Sequence, residues 1–227
     1  MRQALTIDPK RAALILVDLQ EEQRHDPVYV AADLDAVLAN ARRLLDAARA
    51  NAVRVVHAAY KRDFGAEPRR PFEPLTAEGR PTFSDAASPL TAICSEVAPK
   101  VGETVLSKND ASAFGVAALE PMLRAAGTEW LIVCGVWTEA CVAATVRDAI
   151  VHGYRVLLVK DACGSGTVAM HQTGILNLAN RLNGGAVAST EDACRLIAGT
   201  AVEVWMHDKP VPFFYRYEDA RVLYDSL

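Results

Sequence analysis

Three polar side chains stand where short strand-like runs of this sequence end, and their types suit nucleophilic hydrolysis. Asp18 and Lys108 each follow such a run, and Cys141 comes a few residues after a third one. A thiol can attack a carbonyl carbon, and a nearby carboxylate can take the thiol proton and later deliver it to a leaving nitrogen. A protonated lysine beside them would lower the pKa of the thiol. The trio predicts a nucleophile, a base and an electrostatic partner that work without histidine.

The residues just before Cys141 could help the same chemistry. Thr138 can cap the helix that follows it, which puts Cys141 in a first turn where the unpaired N–H groups and the helix dipole favour a thiolate. The tight turn at 135–137 can direct the backbone N–H groups of Trp137 and Cys141 toward a developing oxyanion. We therefore predict an oxyanion hole formed by Trp137 and Cys141.

Alternating strands and helices must bring these residues together. Buried strands are predicted from runs of β-branched residues and leucine, and helices from apolar residues at helical spacing. The predicted strands are 12–17, 53–58, 103–107, 130–136, 155–159 and 186–188, and the predicted helices are 34–50 with Asp33 as N-cap, 117–126, 139–152, 168–182 and 191–198 with Thr190 as cap. This order predicts the α/β class, with a parallel sheet between helices. Because ligands bind outside the carboxyl ends of such strands, the three polar residues should meet there.

Composition excludes several other classes of protein. The chain has 227 residues, a net charge of −4, 51% hydrophobic and 23% charged residues, which fits one soluble globular domain rather than a disordered or repetitive chain. Its scattered charges give no footprint for nucleic acid or a membrane surface. Residues 1–10 contain no apolar signal region, and the five cysteines include no CxxC motif. We therefore expect reduced thiols and a cytoplasmic protein.

Two segments depart from the strand–helix alternation. Residues 61–99 form a long, proline-rich connection of mixed charge, of the kind that serves as a lid, a binding loop or an oligomer contact. Residues 199–227 are unusually aromatic, which predicts that this C-terminal extension docks on its own core or on a neighbouring subunit. We expect a homo-oligomer, either a dimer or a tetramer.

Four stretches resemble the isochorismatase-like cysteine hydrolases. They are ALILVDLQ (13–20), PKVGETVLSKNDASAF (99–114), LIVCGVWTEACVAATVRDA (131–149) and YRVLLVKDAC (154–163), and the resemblance extends over about residues 11–198. It implies a three-layer fold with a six-stranded, mainly parallel sheet and helices on both faces. Residues 1–198 would then be the hydrolase domain, with 61–99 as a loop insertion. The resemblance also implies an Asp–Lys–Cys triad at Asp18, Lys108 and Cys141, and a cis peptide between Val136 and Trp137.

This sequence differs from the sequence patterns of particular branches of the family, and the differences limit which reaction we predict. Family members that cleave a vinyl ether resemble this chain but have glycine at the position of Cys141. Nicotinamidases have a metal site after the second strand, where this chain has only His57 and Asp63, too few ligands for zinc. Gln23 stands where the family often has an aromatic residue, which predicts a more polar pocket wall.

These departures predict an amidohydrolase that needs no metal or cofactor. It would cleave a C–N bond, other than a peptide bond, in a small amide or a ureido or carbamoyl compound through a thioester. One alternative is an isochorismatase-type vinyl-ether hydrolase that uses Asp18 as an acid. Another is a non-catalytic member of the family that binds or assembles through its aromatic tail. The expected partners are a small-molecule substrate and other copies of the chain, with no nucleic acid and no membrane.

The remaining candidates concern the wall of the pocket. Trp137, Tyr60 and Phe114 are predicted to contact a flat substrate, and the pair Arg69–Arg70 could bind a substrate carboxylate. His57 and His171 are predicted to be hydrogen-bonded structural residues. Of the other cysteines, Cys134 is predicted to be a core residue, and Cys163 stands at a strand end, where it could face the site but is predicted to be buried. Cys94 and Cys194 have no visible activator.

Overall fold

The computed structural model describes residues 2–63, 65–67, 69–80 and 82–227, so residues 64, 68 and 81 of the predicted loop 61–99 lie outside the described residues. The strands are β1 (Arg2–Leu5), β2 (Ala12–Val17), β3 (Arg54–Tyr60), β4 (Thr104–Lys108), β5 (Trp130–Val136), β6 (Arg155–Gly164), β7 (Ala186–Ala188) and β8 (Val202–Met206). The α-helices are α1 (Glu22–His25), α2 (Leu34–Ala50), α3 (Leu119–Ala125), α4 (Ala143–Val151), α5 (Val168–Ala179), α6 (Thr190–Ile197) and α7 (Ala220–Ser226).

One sheet contains all of these strands, in the order β1-β8-β7-β6-β5-β2-β3-β4. The six inner strands β2 to β7 are parallel, which confirms the predicted α/β class. The predicted count of six strands is wrong for the described chain, because β1 and β8 add an antiparallel pair at one edge. Both are short and only partly buried, so neither has the continuous apolar run of a central strand.

Helices cover both faces of the sheet. Helices α2 and α6 pack on one face, while α3, α4, α5 and α7 pack on the other. All six residues of β2 are buried, with alternate side chains in the two cores. Among the described residues, no helix is both long and apolar enough to cross a membrane.

Several predicted caps are wrong, and the structure gives the polar groups other partners. Asp33 precedes α2 in a left-handed conformation (φ 53°) and makes no capping bond. Ser189 caps α6, whereas Thr190 donates its hydroxyl to Asp161. Thr138 does not cap a helix either, and the five residues Thr138–Val142 form a π-turn before α4.

The aromatic tail after β8 contacts its own core. Phe213 stacks on Trp205 with ring centroids 5.5 Å apart, and Tyr215 and Tyr224 pack against the core on the side of α5. Strand β8 itself lies in the sheet between β1 and β7. The segment after residue 198 therefore supplies a strand as well as the tail.

A partly buried carboxylate between α2 and the start of β4 gives a test of acid stability. Arg49 donates to both oxygens of Glu103, at 2.7 and 2.9 Å, and His57 lies 3.1 Å from one of them. The Arg49 hydrogen bond is the main reason that the pKa of Glu103 falls from 4.5 to about 2. Because the folded pKa is depressed, its stabilising contribution is complete above pH 4.5 and is lost as the pH falls through about 2.

We expect Glu103→Gln to lower the free energy of unfolding at pH 7 by about 3 kcal/mol, and by much less at pH 2. Denaturant unfolding at the two pH values measures this difference. Glu129→Gln serves as the control, because Glu129 pairs with Arg11 at the surface with both side chains about half exposed. Equal losses in the two variants would contradict the assignment.

Candidate active site

The predicted site residues meet at the carboxyl ends of the central strands. Asp18 follows β2 directly, Lys108 is the last residue of β4, and Cys141 lies five residues after the end of β5. The chain moves away from β2 in opposite directions across the sheet, through β3 and β4 on one side and through β5, β6 and β7 on the other. A crevice at such a switch point is where α/β sheets bind ligands.

Asp18 and Lys108 form a buried ion pair. Lys108 Nζ lies 2.9 Å from Asp18 Oδ2, and both side chains are almost completely buried. The same ammonium donates to the carbonyl oxygens of Asp110 and Ala111 at 3.0 and 2.9 Å, so three acceptors surround its three hydrogens. The other carboxylate oxygen, Asp18 Oδ1, is buried and accepts no hydrogen bond among the described residues. Asp18 therefore keeps one oxygen available for the thiol of Cys141.

Burial has the largest effect on the pKa values of Asp18 and Cys141. It raises the pKa of Asp18 above its ordinary value, and the charge of Lys108 opposes that effect. It also raises the pKa of Cys141 to about 12, with the negative charge of Asp18 adding to the rise and Lys108 opposing it. The expected lowering of the thiol pKa is therefore wrong. The sulfur therefore keeps its proton near neutrality, next to a carboxylate that burial makes a stronger base than usual.

The backbone brings β5 against the end of β2. Gly135 has φ 127°, and a Cβ there would lie 2.0 Å from the carbonyl oxygen of Val17, so only glycine fits. Asp18 itself has φ 51°, a conformation that non-glycine residues rarely adopt outside functional or strained positions. The peptide bond between Val136 and Trp137 is cis.

The turn at residues 137–142 contains the predicted nucleophile Cys141, and we call it the nucleophile turn. Its backbone conformation differs from that of an α-helix. The carbonyl oxygen of Trp137 accepts from the N–H groups of Ala140 and Val142, at 3.0 and 3.2 Å, on either side of Cys141. Because the turn is a π-turn, the N–H groups around Cys141 are arranged differently from those of the expected first α-turn.

Gln20 joins three segments beneath the site. Its side chain donates to the carbonyl oxygens of Tyr60 and Thr91 at 3.0 and 2.9 Å, and accepts from the N–H of Tyr60 at 2.8 Å. This fully buried amide ties the end of β2 to the end of β3 and to the long loop. It is the last residue of the stretch 13–20 that resembles the family, and the sequence predicts no role for it.

An aromatic cavity of about 330 Å³ opens beside Asp18 and Cys141. Of the predicted wall residues, Tyr60 and Trp137 line it. Trp137 donates its indole N–H to Gln23 at 2.7 Å, and its ring packs so closely on Gly166 that a Cβ there would clash. Gln23 also lines the cavity, at the position where a more polar wall was predicted.

Phe114 lies elsewhere in the structure. It stacks on His152 with centroids 4.9 Å apart and also contacts Tyr154. The short 3₁₀ turn Ala113–Gly115 directs its ring toward the carboxyl end of α4 and away from the cavity. Phe114 is therefore not a wall residue in this structure.

Several cavity residues were not predicted from the sequence, among them Tyr29, Phe83, Glu22 and Ser84. Tyr29 and Phe83 pack together with centroids 4.6 Å apart, and Phe83 also contacts Tyr60. Glu22 is buried, and Ser84 donates to it through both its hydroxyl and its backbone N–H, at 2.6 and 3.0 Å. Burial raises the pKa of Glu22. Of these four residues, only Glu22 lies close to one of the stretches that resemble the family, four residues after Asp18.

A buried arginine cross-links the first part of the long loop internally. Arg62 ion-pairs with Glu67 and Glu73 at 2.9 and 3.1 Å. Because Arg70 and Phe83 also line the cavity, this loop supplies part of its wall.

Potential metal ligands do not converge at this site in the described residues. His57 contacts Glu103, whereas Asp63 is exposed and accepts from the backbone of its own turn. One group elsewhere, Glu21 with Cys94 and Glu96, has ligand atoms within 4.8 Å of one another. Arg24 already ion-pairs with both glutamates, at 3.2 and 2.6 Å.

Comparison with known proteins agrees with this architecture. A family model described as the isochorismatase domain matches residues 12–192. The maleamate amidohydrolase of Pseudomonas putida is 36% identical over 47% of this chain and 49% of its own length. The streptothricin hydrolase of Streptomyces noursei is 33% identical over 80% of this chain and 63% of its own length. The N-carbamoylsarcosine amidase of an Arthrobacter species is 30% identical over 82% of this chain and 71% of its own length. The chain thus spans about half to two thirds of the first two relatives.

Solved structures have the same fold. An isochorismatase family protein from Desulfovibrio vulgaris superposes with a TM-score of 0.73 at 26% identity, over 83% of this chain and 98% of that one. The chain belongs to the isochorismatase family.

Proposed function

We propose that this protein is a cysteine amidohydrolase that cleaves the C–N bond of a small amide or ureido compound without a metal or cofactor. The observation that carries the proposal is the buried Asp18 carboxylate, which is ion-paired with Lys108 through one oxygen and interacts with the Cys141 thiol. Relatives named maleamate amidohydrolase and N-carbamoylsarcosine amidase support it.

The first half of the reaction forms a thioester. Asp18 removes the thiol proton as the sulfur of Cys141 attacks the substrate carbonyl carbon, forming the C–S bond and a tetrahedral oxyanion. The backbone N–H groups of Trp137 and Cys141 donate to that oxyanion. When the intermediate collapses, the C–N bond breaks and Asp18 returns its proton to the leaving nitrogen, which departs as ammonia or an amine.

The second half releases the acid. A water molecule gives one proton to Asp18 and attacks the thioester carbonyl, and the same N–H groups hold the new oxyanion. Collapse breaks the C–S bond, and the proton on Asp18 returns to the sulfur. The ammonium group of Lys108 stabilises the carboxylate form of Asp18 each time that form is restored.

The cavity favours a small and flat substrate. Its volume of about 330 Å³ is near the lower end for small-molecule sites. The rings of Trp137, Tyr60, Tyr29 and Phe83 offer flat apolar surfaces beside the sulfur.

Arg70 gives the substrate a second recognition point. Among the described residues it is the one cationic side chain that lines the cavity. Its guanidinium donates to the carbonyl oxygen of Asn109 and lies 4.0 Å from the carboxylate of Asp110. We propose that it binds a carboxylate on the substrate, and the relative named for maleamate, a carboxylate, supports this.

We expect Arg70→Gln to raise KM for an amide that carries a carboxylate by about tenfold or more, with little change for the neutral amide of the same shape. Steady-state kinetics with a matched substrate pair measures this. Arg69→Gln is the control, since Arg69 donates to the carbonyl oxygen of Gly79 and does not line the cavity. A similar rise for both substrates, or in both variants, would count against recognition by Arg70.

The proposed reaction is tested with a panel of amides and ureides assayed for ammonia or amine release. Rapid quenching and mass spectrometry then identify an acyl adduct on the peptide that contains Cys141. Turnover with the adduct on Cys141 supports the proposal. Turnover with no adduct on that peptide contradicts the thioester route, and no release from any amide contradicts the activity.

We also propose a cytoplasmic homo-oligomer. All five cysteines are free thiols, which suits a reducing compartment. Phe214 and Val222 are exposed along the tail, which supports a contact with another copy.

A further inference from the structure

A chain of hydrogen bonds runs from the C-terminal tail to the nucleophile turn. Thr138 Oγ1 lies 3.0 Å from the carbonyl oxygen of Gly164 and 2.8 Å from His171 Nδ1. His171 Nε2 lies 3.1 Å from the hydroxyl of Tyr224. These residues come from the nucleophile turn, β6, α5 and α7, and none of them enters the proposed reaction.

The geometry fixes the direction of each bond. A carbonyl oxygen only accepts, so Thr138 must donate its single hydroxyl hydrogen to Gly164. His171 must then donate from Nδ1 to Thr138, because the threonine hydroxyl has no second hydrogen to give. In a neutral imidazole the other nitrogen accepts, so Tyr224 donates to Nε2. Burial lowers the pKa of His171 to about 4, in keeping with a neutral ring.

Each end of this chain of hydrogen bonds is fixed by further contacts. Gly164 pairs with Val136 in the sheet, immediately before the nucleophile turn. Helix α5 packs directly on that turn, since a Cβ on Gly174 would lie 2.9 Å from the methyl group of Thr138. At the other end, Lys160 donates to the backbone carbonyl of Tyr224 at 2.9 Å and lies over its ring.

We propose that His171 and Tyr224 are positioning residues that hold the nucleophile turn against β6 through Thr138. Thr138 follows Trp137 directly and precedes Cys141 by three residues. A shift of Thr138 therefore moves both the sulfur and the N–H groups that would hold the oxyanion. The effect on catalysis rests on the proposed function, whereas the hydrogen-bond chain itself does not.

The direction of the bonds is tested by NMR of the ¹⁵N-labelled histidine rings. We expect the neutral His171 ring to carry its hydrogen on Nδ1, with its signals assigned by their loss in His171→Asn. A hydrogen on Nε2 would overturn the proposal, because Thr138 could not then bond both partners. This readout does not require turnover.

The positioning role is tested by removing one hydroxyl. We expect Tyr224→Phe to lower kcat by about tenfold with KM within twofold, and to speed hydrogen exchange at residues 138–142. Tyr217→Phe changes neither, because Tyr217 is an exposed tyrosine of the same tail. Unchanged kcat and unchanged exchange in Tyr224→Phe would overturn the proposal.

A second pair of variants separates positioning from general stability. Asparagine can donate from about the place of Nδ1, so His171→Asn should keep at least tenfold more kcat than His171→Ala when both melt at similar temperatures. Equal kcat in the two would overturn the role of the Nδ1 donor. If the wild-type protein cleaves no amide, the proposed function fails. The His171 ring signals and the hydrogen exchange would still decide whether the chain of hydrogen bonds holds the nucleophile turn.

Discussion

Cys141→Ala should lower kcat for the amide substrate by about 10⁴-fold or more, because it removes the sulfur that forms the acyl intermediate in the proposed reaction. Cys141→Ser should be nearly as inactive, because a serine hydroxyl is a far weaker acid than a thiol and Asp18 removes its proton much less readily. Cys141 is only partly buried at the cavity, so the melting temperature should change little in either variant. Ammonia release under saturating substrate measures the loss, and the acyl adduct should disappear with it.

Cys194→Ala is the matched control, because Cys194 is also a partly buried free thiol but lies on α6, across the sheet. It should keep full activity. If Cys141→Ala still released ammonia at the wild-type rate, the cysteine mechanism would be wrong. If that variant cleaved a vinyl ether and neither protein cleaved an amide, the alternative that uses Asp18 as an acid would replace the present proposal.

Much of the fold can be predicted because of how its central strands are buried. Strands such as β2 and β5 are covered on both faces, so each is a continuous apolar run, and the polar residue that ends the run marks the site. This is why Asp18 could be selected as a candidate. The edge strand β1 and its neighbour β8 are short and contain exposed positions, so no comparable run distinguishes them.

The cavity wall was harder to predict because it comes from irregular chain. Phe83 belongs to the loop between β3 and β4, where no period relates a position to the direction of its side chain. Tyr29 follows the four-residue helix α1, which is too short to show a helical pattern. Phe114 lies near Lys108 in sequence, but a 3₁₀ turn carries it to another surface.

The protonation of Cys141 was not predictable from local sequence. The helix terminus and Lys108 both favour a thiolate, and the sequence contains both features. The opposing effect is burial, reinforced by the charge of Asp18, and it depends on chain that folds over the site from several directions. The mechanism therefore needs a base that acts during attack, rather than a thiolate formed beforehand.

Asp18→Asn tests that base. We expect kcat to fall by about 10³-fold or more, because an amide cannot take the thiol proton from a sulfur whose pKa is about 12. The same change leaves the Lys108 ammonium buried without its carboxylate, which should cost about 3 kcal/mol of stability. Activity loss alone would therefore leave two explanations open, a missing base or a damaged site.

The double variant Asp18→Asn with Lys108→Met separates those explanations. It removes both charges together, so its free energy of unfolding should recover toward that of the wild type, while Lys108→Met alone should be destabilised by the unpaired carboxylate. Denaturant unfolding of the four proteins gives the coupling between the two residues. A double variant that is stable and still inactive assigns the chemistry to the Asp18–Lys108 pair rather than to its effect on stability. A double variant that regains turnover along with stability would mean that the ion pair only supports the fold and that another group takes the thiol proton.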